Sequence, residues 1–355
     1  MNTEADAVTG AGVGTATGAG AGTATGAVAG TATGAVAGTA TGAVAGTRAG
    51  RLWRYVIEMY PLHVNVPYSF MLFFGYYLLV QAIYGFKPLM ISTESLLGAF
   101  TLASFTLLLR IFDEFKDYEH DVKLFPDRPL PSGRVTKADL KVMGWSLVAI
   151  MVLLNLTLGK GLIGFAILMA FGFLMLKFFF LPDLHRGSLL LTLATHNPVA
   201  FFTHLYVLGV FMQDHRQGPD GIPASAWLGI LMFWGLVFSW ETARKIRAPE
   251  EETDYVTYSQ VFGTRRAPLV PMFGLTVSFG IAVWFKFALG LGTPFLVAVV
   301  AAWAYAMWGF VRFLMNQNPA TSRLRPYVEA ASLTLYVAFL AALPYRYSLM
   351  WVGPF

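Results

Sequence analysis

Five uncharged runs constrain this chain more than any other feature: Val66–Phe86, Val142–Gly159, Ile222–Trp240, Ala267–Phe285 and Phe287–Val311. Each is long enough to cross a bilayer, which takes roughly 17–25 residues of helix. Within hydrocarbon every backbone N–H and C=O needs an internal partner, so such runs fold as helices. A soluble core does not need so many, and with only 13% of residues charged little surface is left for water. The expected fold is all-α and polytopic. Soft boundaries give nine spans, at about 64–86, 93–112, 142–159, 161–181, 188–211, 223–241, 267–286, 291–312 and 328–350. Gly159-Lys160-Gly161 separates the third from the fourth as a tight hairpin.

The basic residues test that count, because Lys and Arg concentrate on the cytoplasmic side. With the N-terminus inside, 20 of the 25 Lys and Arg fall on inner segments, and Lys87, Lys160, Arg216, Lys286 and Arg346 fall outside. One span missed or invented would scramble that division. The same division disposes of the net charge of +5 as a sign of nucleic acid binding, since the bases sort by membrane side and not onto one face. No nucleic acid partner is expected. The chain contains no cysteine, which excludes disulfides, thiolate metal sites and thiol nucleophiles.

Residues 1–50 form an Ala/Gly/Thr-rich tail in which the octad GTATGAVA occurs three times in tandem. Nothing in it buries enough apolar surface to order a backbone, so a disordered tail is expected before a domain at 51–355. Glu4 and Asp6 near its start are unlike a signal peptide. Arg51–Pro61 is amphipathic and reads as a helix lying at the cytoplasmic interface.

Two inner segments hold most of the acids. In RIFDEFKDYEHD, Asp113, Asp117 and Asp121 recur every fourth residue at the end of the second span. They share one helix face, each ~6 Å above the last. Like charges stacked beside hydrocarbon repel and are poorly solvated, and a bound cation offsets both costs. A hard, oxygen-seeking ion such as Mg2+ suits carboxylates and keeps waters for a phosphate to replace. The second segment begins at Glu241, at the end of the sixth span, with Arg244 and Lys245 three and four residues on. Pro249 ends that helix, and Glu250, Glu251, Glu252 and Asp254 follow. Acidic clusters on two helix ends, mixed with bases, suit a diphosphate bridged by Mg2+ and neutralised by Lys and Arg. Removing diphosphate from an allylic carbon leaves a carbocation, which the protein must position and keep dry.

These residues resemble the UbiA superfamily of intramembrane prenyltransferases. Its members carry NDxxDxxxD at the end of the second helix, followed by an RPLxxG loop. Here the stretches read DEFKDYEHD, Asp113–Asp121, and RPLPSG, Arg128–Gly133. The resemblance implies nine transmembrane helices around a central cavity open sideways to lipid, with Mg2+ and diphosphate at the cytoplasmic end. Asp117 and Asp121 would be metal ligands, with Glu114 in support and Asp113 at the usual Asn position. Lys123, Arg128 and Arg134 would face the diphosphate. The second motif departs from the family pattern: Glu241 holds its first position, while Lys245 and Pro249 stand at the next two registers. Asp113, Glu114, Glu241 and, just beyond, Glu251 are the further expected metal ligands, and a cation at 245 would replace one Mg2+ and contact phosphate directly.

The expected catalytic residues are Asp117, Asp121 and Glu241. The expected partners are a prenyl diphosphate, a lipophilic acceptor that is aromatic in the first reading, and the lipid of a bacterial cytoplasmic membrane. The second reading is a terpene cyclase on the same scaffold, which needs no acceptor. The third, a transporter without chemistry, requires acids at mid-membrane, and these lie at helix ends. His196, Asn197, Pro198 and His204 fall within the fifth span, either as bundle hydrogen bonds around a proline kink or near an acceptor. Asn65 and Tyr68 are candidates to line the cavity.

Overall fold

The computed structural model describes residues 46–158, 161–181, 184–185, 188–253 and 255–353. The repeats expected to form a tail, the turn at 159–160 and Asp254 lie outside the described residues. The first described helix, α1 (Arg48–Met59), starts on the side chain of Thr47, which accepts from Gly50 N. Tyr55 and Val56 are buried while Trp53 and Ile57 on the opposite face are exposed, as an interfacial helix requires. Arg48 and Arg51 both reach Asp139 in the first turn of α5 (Lys137–Asn155). This ties α1 to the bundle just after the RPLPSG loop.

Seven helices among the described residues are long and apolar enough to cross a membrane. They are α2 (Leu62–Ile83), α3 (Thr93–Lys116), α5, α9 (Ala224–Ala243), α11 (Leu269–Ala288), α12 (Thr293–Met315) and α13 (Arg325–Tyr347). Two of the nine expected spans differ. The one placed at 161–181 is α6 (Gly161–Leu176), of 16 residues. That is about 24 Å of helix against ~30 Å of hydrocarbon, and it stops because Phe178, Phe179 and Phe180 take left-handed backbone conformations. The one placed at 188–211 is two helices, α7 (Leu189–His196) and α8 (Val199–Asp214). The break falls at Asn197-Pro198, where proline has no N–H to continue the ladder. The short helices α4 (Tyr118–Leu124) and α10 (Tyr258–Phe262) lie in the two charged loops.

Packing follows from small residues. A side chain at Gly235 on α9 would come within 2.3 Å of Ser278, and one at Gly274 on α11 within 2.4 Å of Ser239, so the two backbones approach closely. Where α2, α8, α9 and α13 meet, aromatic rings pack against one another. His204 stacks on Phe233 with centroids 5.3 Å apart, and Phe233 on Tyr336 at 4.8 Å. His204 Nδ1 donates to Ala200 O at 2.7 Å, a bond within its own helix. An apolar pocket of about 260 Å³ lies between α2 and α13 and is lined by Phe70, Phe74, Leu78, Ile91, Leu340 and Leu349.

At the end away from the acidic motif, β1 (Leu89–Ser92) pairs in parallel with β2 (Leu349–Val352), with Leu89 opposite Leu349. Gln81 holds β1 by bonding both the N–H and the C=O of Met90, at 2.7 and 2.9 Å. Asp214, at the end of α8, accepts from Tyr77 and Ser92 at this same end. These contacts fasten one end of the bundle and leave the other to the charged loops.

Candidate active site

The acidic face survives a break in its helix. Helix α3 ends at Lys116 and α4 begins at Tyr118, yet Asp117 N bonds Asp113 O at 2.9 Å and Asp121 N bonds Asp117 O at 2.8 Å. The one-turn repeat therefore continues through the junction, and Asp113, Asp117 and Asp121 stay in register. Asp113, Glu114 and Asp121 are 7%, 1% and 3% exposed. Buried carboxylates persist only when paired. Glu114 takes Arg110, one turn earlier on α3. Asp121 takes Arg128 from the RPLPSG loop at 2.7 Å, and Arg128 also lies over the Phe125 ring. Lys116 lies 3.9 Å from Asp113 and 3.0 Å from His196 Nε2, which brings the end of α7 to the site. Asp117 has no ion-pair partner among the described residues, and burial pushes its carboxyl above the usual aspartate range, with Lys116 opposing the shift.

Pairing leaves a remainder. Asp113 Oδ2, Glu114 Oε2 and Asp121 Oδ1 are buried without a hydrogen-bond partner, as are Arg110 Nε and the Tyr55 hydroxyl. An unmet buried polar group costs about 1–3 kcal/mol, and a charged one more, so three such oxygens on one helix end mark a place for a ligand. Tyr55 comes from α1. Its hydroxyl is held protonated first by burial and then by the nearby Glu114 charge.

The end of α9 is arranged differently. Arg244 grips Glu241 through two bonds, Nε to Oε2 at 2.7 Å and Nη2 to Oε1 at 2.8 Å. Lys245 Nζ is 3.3 Å from the same Oε1. Arg244 is close enough to act electrostatically on Asp113, so the ends of α3 and α9 form one charged region. Burial works against the Arg244 charge, but Glu241 offsets it and the guanidinium pKa is raised. Across both ends, the bases Arg110, Lys116, Arg128, Arg244 and Lys245 face the acids Asp113, Glu114, Asp117, Asp121 and Glu241.

Three expected site residues stand apart from this region. Glu251 accepts from Ser322 Oγ and, at 3.1 Å, from Ala248 N, so its carboxylate closes its own 3-10 turn against the loop before α13. Arg134 is half exposed and forms a two-bond pair with Glu58 of α1, at 2.6 and 2.8 Å. Lys123 is exposed on α4. Conversely, Arg110, Lys116, Tyr55 and His196 belong to the site. Arg110 was legible as the i−4 neighbour of Glu114. Lys116 lies off the aspartate face, and no local pattern points to Tyr55 or to the partner of His196.

No group of three or more His, Asp or Glu side chains among the described residues is gathered as a metal cluster. Mg2+ does not require one, because it is held by one or two carboxylates plus waters and substrate phosphates. The hard oxygen donors and the three unpartnered carboxylate oxygens fit an ion that arrives with a phosphate.

A bundle of membrane-crossing helices with a buried acid–base region at one end defines a multi-pass membrane protein built around a charged site. The UbiA prenyltransferase family model matches residues 69–328, and the chain belongs to that family. Among curated relatives, a 4-hydroxybenzoate octaprenyltransferase of Burkholderia multivorans is 28% identical over 201 residues, covering 55% of this chain and 64% of the relative. One from Burkholderia cenocepacia is 28% identical over 227 residues, covering 61% of this chain and 72% of the relative. Two solved structures share the fold. A digeranylgeranylglyceryl phosphate synthase has a TM-score of 0.57 at 16% identity, over 83% of this chain and 99% of that one. A UbiA homolog from Aeropyrum pernix K1 in its apo form has a TM-score of 0.56 at 15% identity, over 77% of this chain and 95% of that one.

Proposed function

We propose that the protein is a Mg2+-dependent prenyltransferase that moves an isoprenyl chain from a prenyl diphosphate to a lipophilic aromatic acceptor. One observation carries this reading: three buried, unpartnered carboxylate oxygens stand beside bases on two converging helix ends. Acids and bases there are matched in number, so a diphosphate entering alone would meet as much repulsion as attraction. Asp117 and Asp121 would hold Mg2+, with Asp113 and Glu114 in support. When bound, the ion neutralises diphosphate oxygens and makes the group easier to expel. Arg128, Arg244 and Lys245 take the remaining oxygens by charge-assisted hydrogen bonds. The allylic C–O bond breaks with its electron pair leaving on diphosphate. An acceptor ring carbon bonds to the allylic cation, and the proton on that carbon then departs to restore the aromatic ring.

The surrounding apolar helices exclude water, which would otherwise capture the cation. The 4-hydroxybenzoate octaprenyltransferases among the relatives support an aromatic acceptor and a long prenyl donor. The arrangement of Lys and Arg supports a site facing the cytoplasm in a bacterial cytoplasmic membrane.

Membranes containing the protein are incubated with Mg2+ and labelled prenyl diphosphates of increasing length, with and without 4-hydroxybenzoate and related phenols. A prenylated adduct that forms only with acceptor, and vanishes with EDTA, is expected. A cyclic hydrocarbon or alcohol formed without any acceptor would replace the transferase reading with the cyclase one.

A further inference from the structure

The two helix ends treat a carboxylate in opposite ways, and that bears on how many metal ions the site accepts. At the α3 end each buried carboxylate keeps one oxygen open: Asp113 Oδ2, Glu114 Oε2 and Asp121 Oδ1. At the α9 end both oxygens of Glu241 are taken, by Arg244 on two sides and by Lys245 on one. Two of the acids downstream, Glu251 and Glu252, are engaged by neighbouring loop groups. Glu251 serves Ala248 N and Ser322, and both oxygens of Glu252 meet the Thr257 hydroxyl, at 2.9 and 2.7 Å. Glu241, Arg244 and Lys245 together carry a net positive charge, and Lys245 is only 8% exposed. A divalent cation is repelled by such a group, and a phosphate is attracted. An ammonium carries three donors, so with one directed at Glu241 the others remain for phosphate oxygens.

We infer that this site takes a single divalent cation, at the α3–α4 end, and that Arg244 and Lys245 form a built-in cation for the far phosphate. Glu241 is then a positioning residue that holds the pair in place. This inference rests on the proposed diphosphate reading.

The test counts metal directly. Full-length protein in lipid nanodiscs is titrated with Mn2+ at saturating inorganic pyrophosphate, and bound Mn2+ per chain is read by electron paramagnetic resonance. One pyrophosphate-dependent ion per chain is expected, lost in Asp117→Asn and retained in Glu241→Gln. Lys245→Met should weaken pyrophosphate binding about tenfold or more through the lost charge-assisted bonds, with the count unchanged. Lys245→Asp, which places a second acid one turn after Glu241, should raise the count to two. Should Lys245→Asp not fold, Glu241→Gln and Lys245→Met still decide. Two ions on the wild-type chain, falling to one in Glu241→Gln, would overturn the inference and leave the diphosphate reading standing. No pyrophosphate-dependent ion on a folded chain would bring down both.

Discussion

The ends of α3 and α9 both carry acids out of hydrocarbon into the same charged region, but they use them differently. On α3 the bases are spread out, so that Arg110, Lys116 and Arg128 each meet a different carboxylate and leave oxygens over. On α9 two consecutive bases converge on Glu241 and use it up. Acidic residues at a membrane edge therefore do not by themselves define a metal site. What matters is how many lone pairs remain once neighbouring cations have been satisfied.

The comparison can be broken most directly at the α3 end. Asp117→Ala and Asp121→Ala should each lower prenyl transfer to about 1% of wild type or less, because in the proposed mechanism these residues would hold the ion that neutralises the leaving group. Steady-state turnover on prepared membranes reads this, and activity retained in both variants would remove the metal from that end. Chelation of Mg2+ should have an effect of the same order, and restoring Mg2+ should reverse it.

Glu241→Gln should cost less, about tenfold to a hundredfold in turnover, because the bases proposed to contact phosphate remain while their counter-charge is lost. If Glu241→Gln proves as damaging as Asp121→Ala and also lowers metal affinity, the contrast between the two ends collapses. Asp139 sharpens the same point from outside the site. It is held by Arg48 and Arg51 much as Glu241 is held by its two bases, and it is 1% exposed. Asp139→Ala removes two ion pairs and the capping bond to Thr136 N, and should lower the thermal unfolding temperature, while Mn2+ affinity of the folded protein stays unchanged. Thermal unfolding paired with metal titration separates those outcomes.

The smallest effect is expected at Glu251 and Arg134. Glu251→Ala removes hydrogen bonds to Ala248 and Ser322 and should cost about 1 kcal/mol of stability with activity close to wild type. Arg134→Ala removes a half-exposed pair with Glu58, worth about 0–1 kcal/mol. A loss of pyrophosphate affinity in Arg134→Ala would return that residue to the diphosphate site.

Much of the acidic site was legible because a helix makes spacing into geometry. Asp113, Asp117 and Asp121 lie on one face by their interval alone, and that face persists across the α3–α4 junction. Arg244 and Lys245 lie beside Glu241 for the same reason. The spans were legible to the extent that apolar length dictates crossing. The two that differ, around 161–181 and 188–211, turned on backbone conformation at Phe178–Phe180 and on where a proline interrupts a ladder, and hydropathy is blind to both.

The sequence alone determined that the chain crosses the membrane many times, and that acids and bases gather at helix ends on one side. Both are consequences of local periodicity and of the cost of charge in hydrocarbon. Only the tertiary structure decided which acid meets which base. Arg128 reaches Asp121 across a loop, Lys116 meets His196 across 80 positions, and Tyr55 is delivered by a helix latched to Asp139. It also turned His204 into an aromatic stack and Glu251 onto Ser322. These contacts depend on which helices pack together, and packing is settled by shape over the whole bundle rather than by the spacing of residues within any one helix.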